Sequence, residues 1–167
     1  PYFVLDVISD QYIGSSDESE ADQLALAYLC SIIKQAISSA NIGVISTKNR
    51  VPIYNACLFQ NDFCREVEVN TVDHFLSKEK DIVIIPCVKS NDSNELEDFA
   101  SDCSKTKLAL TRARQSLIIY GNISSLDHHK HWKALRDDAI SRNLYASISS
   151  LIHMPLMFNE IIFEPDV

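Results

Sequence analysis

The chain has 167 residues, 46% hydrophobic and 8% aromatic, enough to bury one substantial core and build a single domain. Its net charge of −8 excludes a free-standing nucleic-acid binder of the usual basic kind, so nucleic-acid contact has to be local or shared with a basic partner. No apolar run reaches membrane-spanning length, and the residues from Pro1 onward lack a signal-peptide pattern.

In chain order, Tyr2-Phe-Val-Leu-Asp-Val-Ile8 is an apolar run suited to a buried strand, and the chain opens on it like a domain cut from a longer one. Asp17 with Glu20 forms a capping-box pattern, placing Asp17 as the N-cap of a helix. Behind it Ala21, Leu24, Ala25, Leu29, Ile32, Ile33 and Ala36 keep helical spacing. Ile42-Gly-Val-Ile-Ser46 predicts a second strand, followed by a helix from about residue 51 to 60. Glu66-Val-Glu-Val-Asn70 alternates like a strand, and Asp81-Ile-Val-Ile-Ile-Pro86 suits a fully buried one. Residues 89–103 are polar and read as a surface loop, Ser104 to Arg114 as a helix, and Ser116-Leu-Ile-Ile-Tyr120 as a strand. Trp132, Leu135 and Ala139 form a helical stripe within about 128–143, and the mixed apolar and acidic tail follows. Strands alternating with helices predict an α/β fold with a mostly parallel sheet flanked by helices.

Cys30, Cys57, Cys64, Cys87 and Cys103 show no CxxC spacing and several sit in apolar runs. They read as buried reduced thiols, which fits an intracellular compartment. Three crowded histidines, His128, His129 and His131, with His153 further on, raise metal binding as a reading. It ranks low, because a Lys- and Asp-rich turn is more often solvated and no cysteine lies at ligand spacing. No Ser sits in a Gly-flanked elbow, so nucleophilic catalysis ranks lower still. No GxxxxGK[ST] phosphate loop occurs anywhere in the chain.

Three segments carry chemistry. Ala109-Leu-Thr-Arg-Ala-Arg114 followed by Ser116-Leu-Ile-Ile-Tyr-Gly-Asn122 resembles motif VI of superfamily 1 helicases. Val69 to Asn91, with Thr71, Val72, Asp73, Phe75, Glu79, Asp81, Ser90 and Asn91, is similar to their motif V. Ile42-Gly-Val-Ile-Ser-Thr47 is similar to the motif IV strand. Phe99 and Asp102 stand where the family's approach to motif VI would place them, and the likeness extends over residues 1–148. The nearest subgroup is the one containing senataxin and the nonsense-mediated-decay helicase, with the DNA-replication helicase–nuclease a close neighbour.

The resemblance implies a RecA-like (P-loop NTPase-type) three-layer sandwich over residues 1–148, the second of two motor domains. It implies an arginine finger at Arg112, acting on ATP and Mg²⁺ that the first RecA-like domain mostly holds. Glu79 would meet the ATP ribose, and Lys48 stands where an aromatic stacks on adenine. Thr71, Val72 and Thr47 would touch single-stranded RNA or DNA. We expect Arg112 to ride on a helix and to face the carboxyl edge of the sheet. The cell interior, the nucleus before the cytoplasm, is the implied location, and no membrane is a partner.

Departures from the family pattern have physical consequences. Leu76 and Ser77 replace the Gln-Gly of motif V, Lys48 the aromatic, and Val51 a Gln, while Ser104 and Lys107 stand for an Arg and an Asn. Loss of an aromatic stack costs about 1–3 kcal/mol by analogy with nucleic-acid sites, which weakens nucleotide binding roughly ten- to a hundredfold. Two readings stay open: an ATP-dependent helicase motor half, inactive without its first domain, or a degenerate helicase-like domain kept as a scaffold. The tail, residues 149–167, either packs back on the domain or binds a partner, and the second reading has 151–167 bind one.

Overall fold

The structure, a computed structural model, describes residues 1–8, 16–89 and 94–149. Six strands, β1 (Tyr2–Val7), β2 (Ile42–Ile45), β3 (Glu68–Asn70), β4 (Lys80–Cys87), β5 (Ala113–Gly121) and β6 (Tyr145–Ile148), pair side by side in the order β3-β2-β4-β5-β1-β6. Every pairing is parallel. The connections hold five helices: α1 (Ser16–Ala36), α2 (Val51–Phe59), α3 (Glu95–Ser101), α4 (Cys103–Leu110) and α5 (Lys130–Ser141). Two 3-10 turns, Val72–Phe75 and Ile123–Leu126, complete the set among the described residues.

The strand order explains which face each connection covers. From β1 to β2 to β3 the chain travels one way across the sheet, and from β3 through β4 and β5 to β6 it returns. Right-handed crossovers put these two sets on opposite faces. Accordingly α1 and α2 pack with Leu5, Val7, Ile42, Val44, Ile82, Ile84 and Tyr120 in one core. Both 3-10 turns, α3, α4 and α5 pack with Val4, Ile45, Val83, Ile85, Cys87, Leu117 and Ile119 in the other. Period-two alternation along each strand feeds both layers, so the strands are apolar on both sides. This is the parallel α/β sandwich that the alternation of elements implies, in the RecA-like arrangement that the resemblance implies.

The first layer is locked by a buried carboxylate. Asp22 on α1 is fully buried and accepts hydrogen bonds from Arg50 at 2.9 Å, Tyr54 at 2.5 Å and Tyr120 at 2.9 Å. Burial raises its pKa, and the Tyr54 hydroxyl, Arg50 and Tyr120 offset that rise only in part. The bonds tie α1, the start of α2 and β5 together. A buried charge is tolerated because its oxygens are satisfied.

Several sequence expectations shift. Residues 95–101 form α3, not loop, with Leu96 and Ala100 buried; the i, i+4 apolar pair was the signal among polar neighbours. Residues 90–93, with Ser90 and Asn91, lie outside the described residues, as does the whole tail 150–167 including His153. The helix expected to reach Arg114 ends at Leu110, because β5 begins at Ala113 to pair with β4. Asp17 lies inside α1, which starts at Ser16, so it is not the cap. Leu24 is 62% exposed while Leu26 is buried in its place. Strand β3 is shorter than expected, and β6 was not anticipated. Among the cysteines, Cys30, Cys64 and Cys87 are buried, but Cys103 is exposed. The stripe of Trp132, Leu135 and Ala139 does face the core.

Gly43 in β2 lies under the connection from β3 to β4. A Cβ there would sit 2.7 Å from Lys80 Cγ and 3.0 Å from the buried Phe75 ring. Gly43→Ala should therefore destabilise the domain by about 1–3 kcal/mol, as overpacking does, with an unchanged denaturant slope in equilibrium unfolding.

Candidate functional site

Pairing of β4 with β5 aligns Lys80 with Ala113, and the Lys80 N–H donates to the Arg112 carbonyl at 3.0 Å. The residues just before each strand, Glu79 and Arg112, are thereby brought to the same place on the amino edge of the sheet. Arg112 stands on the turn after α4, whose C-cap is Thr111. Asp102 caps the other end of α4 by accepting from the Ser104 and Lys105 N–H groups. Phe99 packs edge-on against Trp132, which fixes α3 beside α5. A capped helix and a central strand thus hold Arg112 from both sides.

The Arg112 guanidinium is half-buried and bound to backbone oxygens. Its Nε donates to Leu108 O at 3.2 Å, and one Nη reaches Leu76 O at 3.3 Å and Lys78 O at 3.4 Å. The other Nη reaches Thr111 Oγ1 at 3.2 Å. Among the described residues no carboxylate pairs with it. These neutral acceptors orient the fork while leaving its charge unneutralised, which suits a group meant to meet an anion.

Glu79 is exposed and pairs with Arg114 at 3.4 Å, and Arg114 also lies 3.8 Å from Asp81. Nearby Glu68 accepts from Lys78 at 2.6 Å and Lys80 at 2.7 Å, with His74 at 3.1 Å. Lys78, Lys80, Arg112 and Arg114 against Glu68, Glu79 and Asp81 leave this edge slightly positive on a chain of net charge −8. Sequence reasoning missed Glu68, Lys78, Lys80 and Arg114 as members of the cluster. The charged run around Glu79 looks merely solvated until the β2–β3 and β4–β5 registers bring its parts together.

The other expected site residues lie at the opposite, carboxyl edge. Thr47 and Lys48 follow β2, and Thr71 and Val72 follow β3; Ile45 and Asn70 are register partners, so the two segments adjoin. Thr47 and Thr71 are half-buried and Lys48 is exposed. Val72 is 5% exposed and packs in the second core, so its side chain is unavailable to an outside partner. Two expectations are corrected here. Lys48 does not share a site with Arg112 and Glu79, because roughly 13 Å of β2 lies between the two edges. Arg112 is on the amino edge, not the carboxyl edge.

A family model described as an AAA domain matches residues 9–124. Over 130 residues, 74% of this chain, it is 32% identical to a "Regulator of nonsense transcripts 1 homolog" of Neurospora crassa, covering 11% of that protein. It is 31% identical over 85% of its length to the human "Probable helicase senataxin", covering 6% of it. It is 30% identical over 86% of its length to the mouse "DNA replication ATP-dependent helicase/nuclease DNA2", covering 13% of it. The chain belongs to the AAA-domain family of superfamily 1 helicases. This helicase-type domain spans 6 to 13% of the length of these three relatives. No helix among its described residues is long and apolar enough to cross a membrane.

In this helicase domain the two lysines hold the Glu68 carboxyl well below its usual range, at about 2, with Lys78 the larger influence. A lowered folded-state pKa stabilises above the unfolded value and loses that contribution as pH falls toward the folded one. Acid titration of unfolding should thus show Glu68 contributing fully above about pH 4.5 and fading between there and pH 2. Glu68→Gln should flatten that portion of the stability curve; equal slopes in both proteins would refute the pairing.

Proposed function

We propose that this domain is the second RecA-like half of an ATP-dependent helicase motor working on single-stranded RNA or DNA. Arg112 is its arginine finger, and the domain is inactive without the first half. The observation that carries this reading is the β4–β5 register, which puts an unneutralised, doubly braced guanidinium beside Glu79 at one edge of the sheet. ATP and Mg²⁺ rest mainly on the first domain, since this chain has no phosphate loop. Glu79 then meets the ribose, and Arg112 stabilises charge on the transferring phosphoryl group.

Arg112 holds the Leu76 and Lys78 carbonyls of the same connection whose other end carries Thr71. Turning the guanidinium toward a phosphoryl oxygen would release those carbonyls. That release gives a physical route from the nucleotide edge to the nucleic-acid edge, where Thr47, Thr71 and the Val72 backbone face the strand. Lys48 belongs with them, as a contact to a strand phosphate and not to adenine. The buried thiols Cys30, Cys64 and Cys87 fit a reducing interior, and we place the protein in the nucleus before the cytoplasm.

A scaffold role is the second reading, favoured by Leu76, which is 63% exposed where the family carries Gln. In it, residues 151–167 would bind a protein partner.

In a protein with both motor halves, Arg112→Ala should lower nucleic-acid-stimulated ATP turnover by about 10³-fold or more, with circular dichroism unchanged. Unaltered turnover would sink the finger assignment, and no turnover in the parent protein would favour the scaffold. Calorimetry on the 167-residue chain alone should register weak or no heat with ATP, whereas tight binding would contradict the two-domain reading.

A further inference from the structure

On the carboxyl side of the sheet, away from Arg112, two connections from neighbouring strands meet. The one leaving β4 carries Glu97 on α3, and the one leaving β5 carries His128 and His129 just before α5. Both imidazole Nε2 atoms point at the same carboxylate oxygen, Glu97 Oε1, at 2.7 Å from His128 and 2.6 Å from His129. One ligand atom from each of the three residues lies within 4.8 Å of the others. The His128 and His129 rings are 4.1 Å apart, centre to centre.

The tautomer of His128 is set by its surroundings. Its Nδ1–H donates to the Ser125 carbonyl at 3.1 Å, so in a neutral ring Nε2 presents a lone pair. That lone pair faces an acceptor-only carboxylate, and the conflict is resolved by a cation between them, either a second proton or a metal. An imidazole whose far N–H is fixed on a backbone carbonyl is the usual support of a metal-ligating histidine. His129 is held more firmly, with its side chain only 15% exposed. The neighbouring His131 is already committed, donating through Nε2 to Ala100 O at 2.7 Å.

We propose that Glu97, His128 and His129 form a binding site for a divalent transition cation of the zinc class. Two imidazoles and a carboxylate suit such a borderline ion, and water takes the fourth position of the tetrahedron. Bonds of about 2.0–2.1 Å place tetrahedral donors about 3.3 Å apart, so the Glu97 oxygen must withdraw by about 0.6 Å. The exposed Glu97 and His128 side chains, 44% and 55% accessible, have the freedom to do so. The ion would pin α3 to the start of α5, joining two connections whose ligands are 31 and 32 residues apart in the chain. The site is independent of the motor reading.

Zinc chloride titrated calorimetrically into the untagged full chain should give saturable one-to-one binding and a rise in Tm, while magnesium chloride gives neither. His129→Ala and Glu97→Gln should each weaken zinc binding at least tenfold and remove the Tm rise, and His131→Ala should change neither. Because His129 is partly buried, the exposed His128→Ala serves as the variant whose folding is least at risk, and it should also lose at least tenfold. Zinc affinity in His128→Ala equal to that of the parent, loss confined to His131→Ala, or no saturable binding at all would overturn the site.

Discussion

The hydrogen bond from the Lys80 N–H to the Arg112 carbonyl stands at the start of the β4–β5 ladder, and the arrangement of the amino edge depends on it. β4 is flanked by β2 and β5 and buried on both faces from Ile82 onward, which fixes its register there, while the ladder carries a bulge-like irregularity between Lys80 and Ile82. A shift of one residue would exchange the Val83, Ile85 face for the Ile82, Ile84 face and expose one core to the other's partners. The apolar layers thus fix the ladder from Ile82 onward, and beyond that irregularity the Lys80–Arg112 hydrogen bond sets Glu79 beside Arg112. The ion pairs around it, such as Glu79 with Arg114, are exposed and of the kind that contribute little stability.

The same economy governs the connection between β3 and β4. In nine residues it leaves the carboxyl edge at Thr71, crosses over Gly43 through a 3-10 turn, and arrives at the amino edge at Glu79. Phe75 anchors the crossing in the core, and Arg112 holds its last carbonyls. One short, tight segment consequently touches both edges of the sheet. Here Leu76 and Ser77 at its apex lack the amide side chain and the glycine freedom of the family pattern, while the path of the backbone is kept.

At the carboxyl side, Asp6 performs a comparable task in the second core. It is fully buried at the end of β1 and accepts from the Ser124 N–H at 3.1 Å and the Tyr145 hydroxyl at 2.9 Å. It thereby fixes the 3-10 turn that leads to His128 and His129. The histidines are presented by a turn that is itself bonded to the sheet, which accounts for their converging on Glu97 instead of dispersing into solvent.

The periodicity of the chain by itself determined the α/β alternation, the buried strands β1, β2, β4 and β5, and the α5 stripe, because each is a local pattern of apolar side chains. The motif resemblance singled out Arg112 and Glu79, since the spacing around them is preserved within a single segment each. Tertiary structure alone decided the rest. The end of α4 was set by the demand of β4 for a partner at Ala113, and the helix propensity of the residues up to Arg114 had no say in it. The burial of Val72, the separation of Lys48 from Arg112 and the amino-edge position of the guanidinium all follow from strand order, a non-local property. Glu68 joins Lys78 and Lys80, and Glu97 joins His128 and His129, only once parallel pairing brings together connections that the sequence keeps about ten to thirty residues apart.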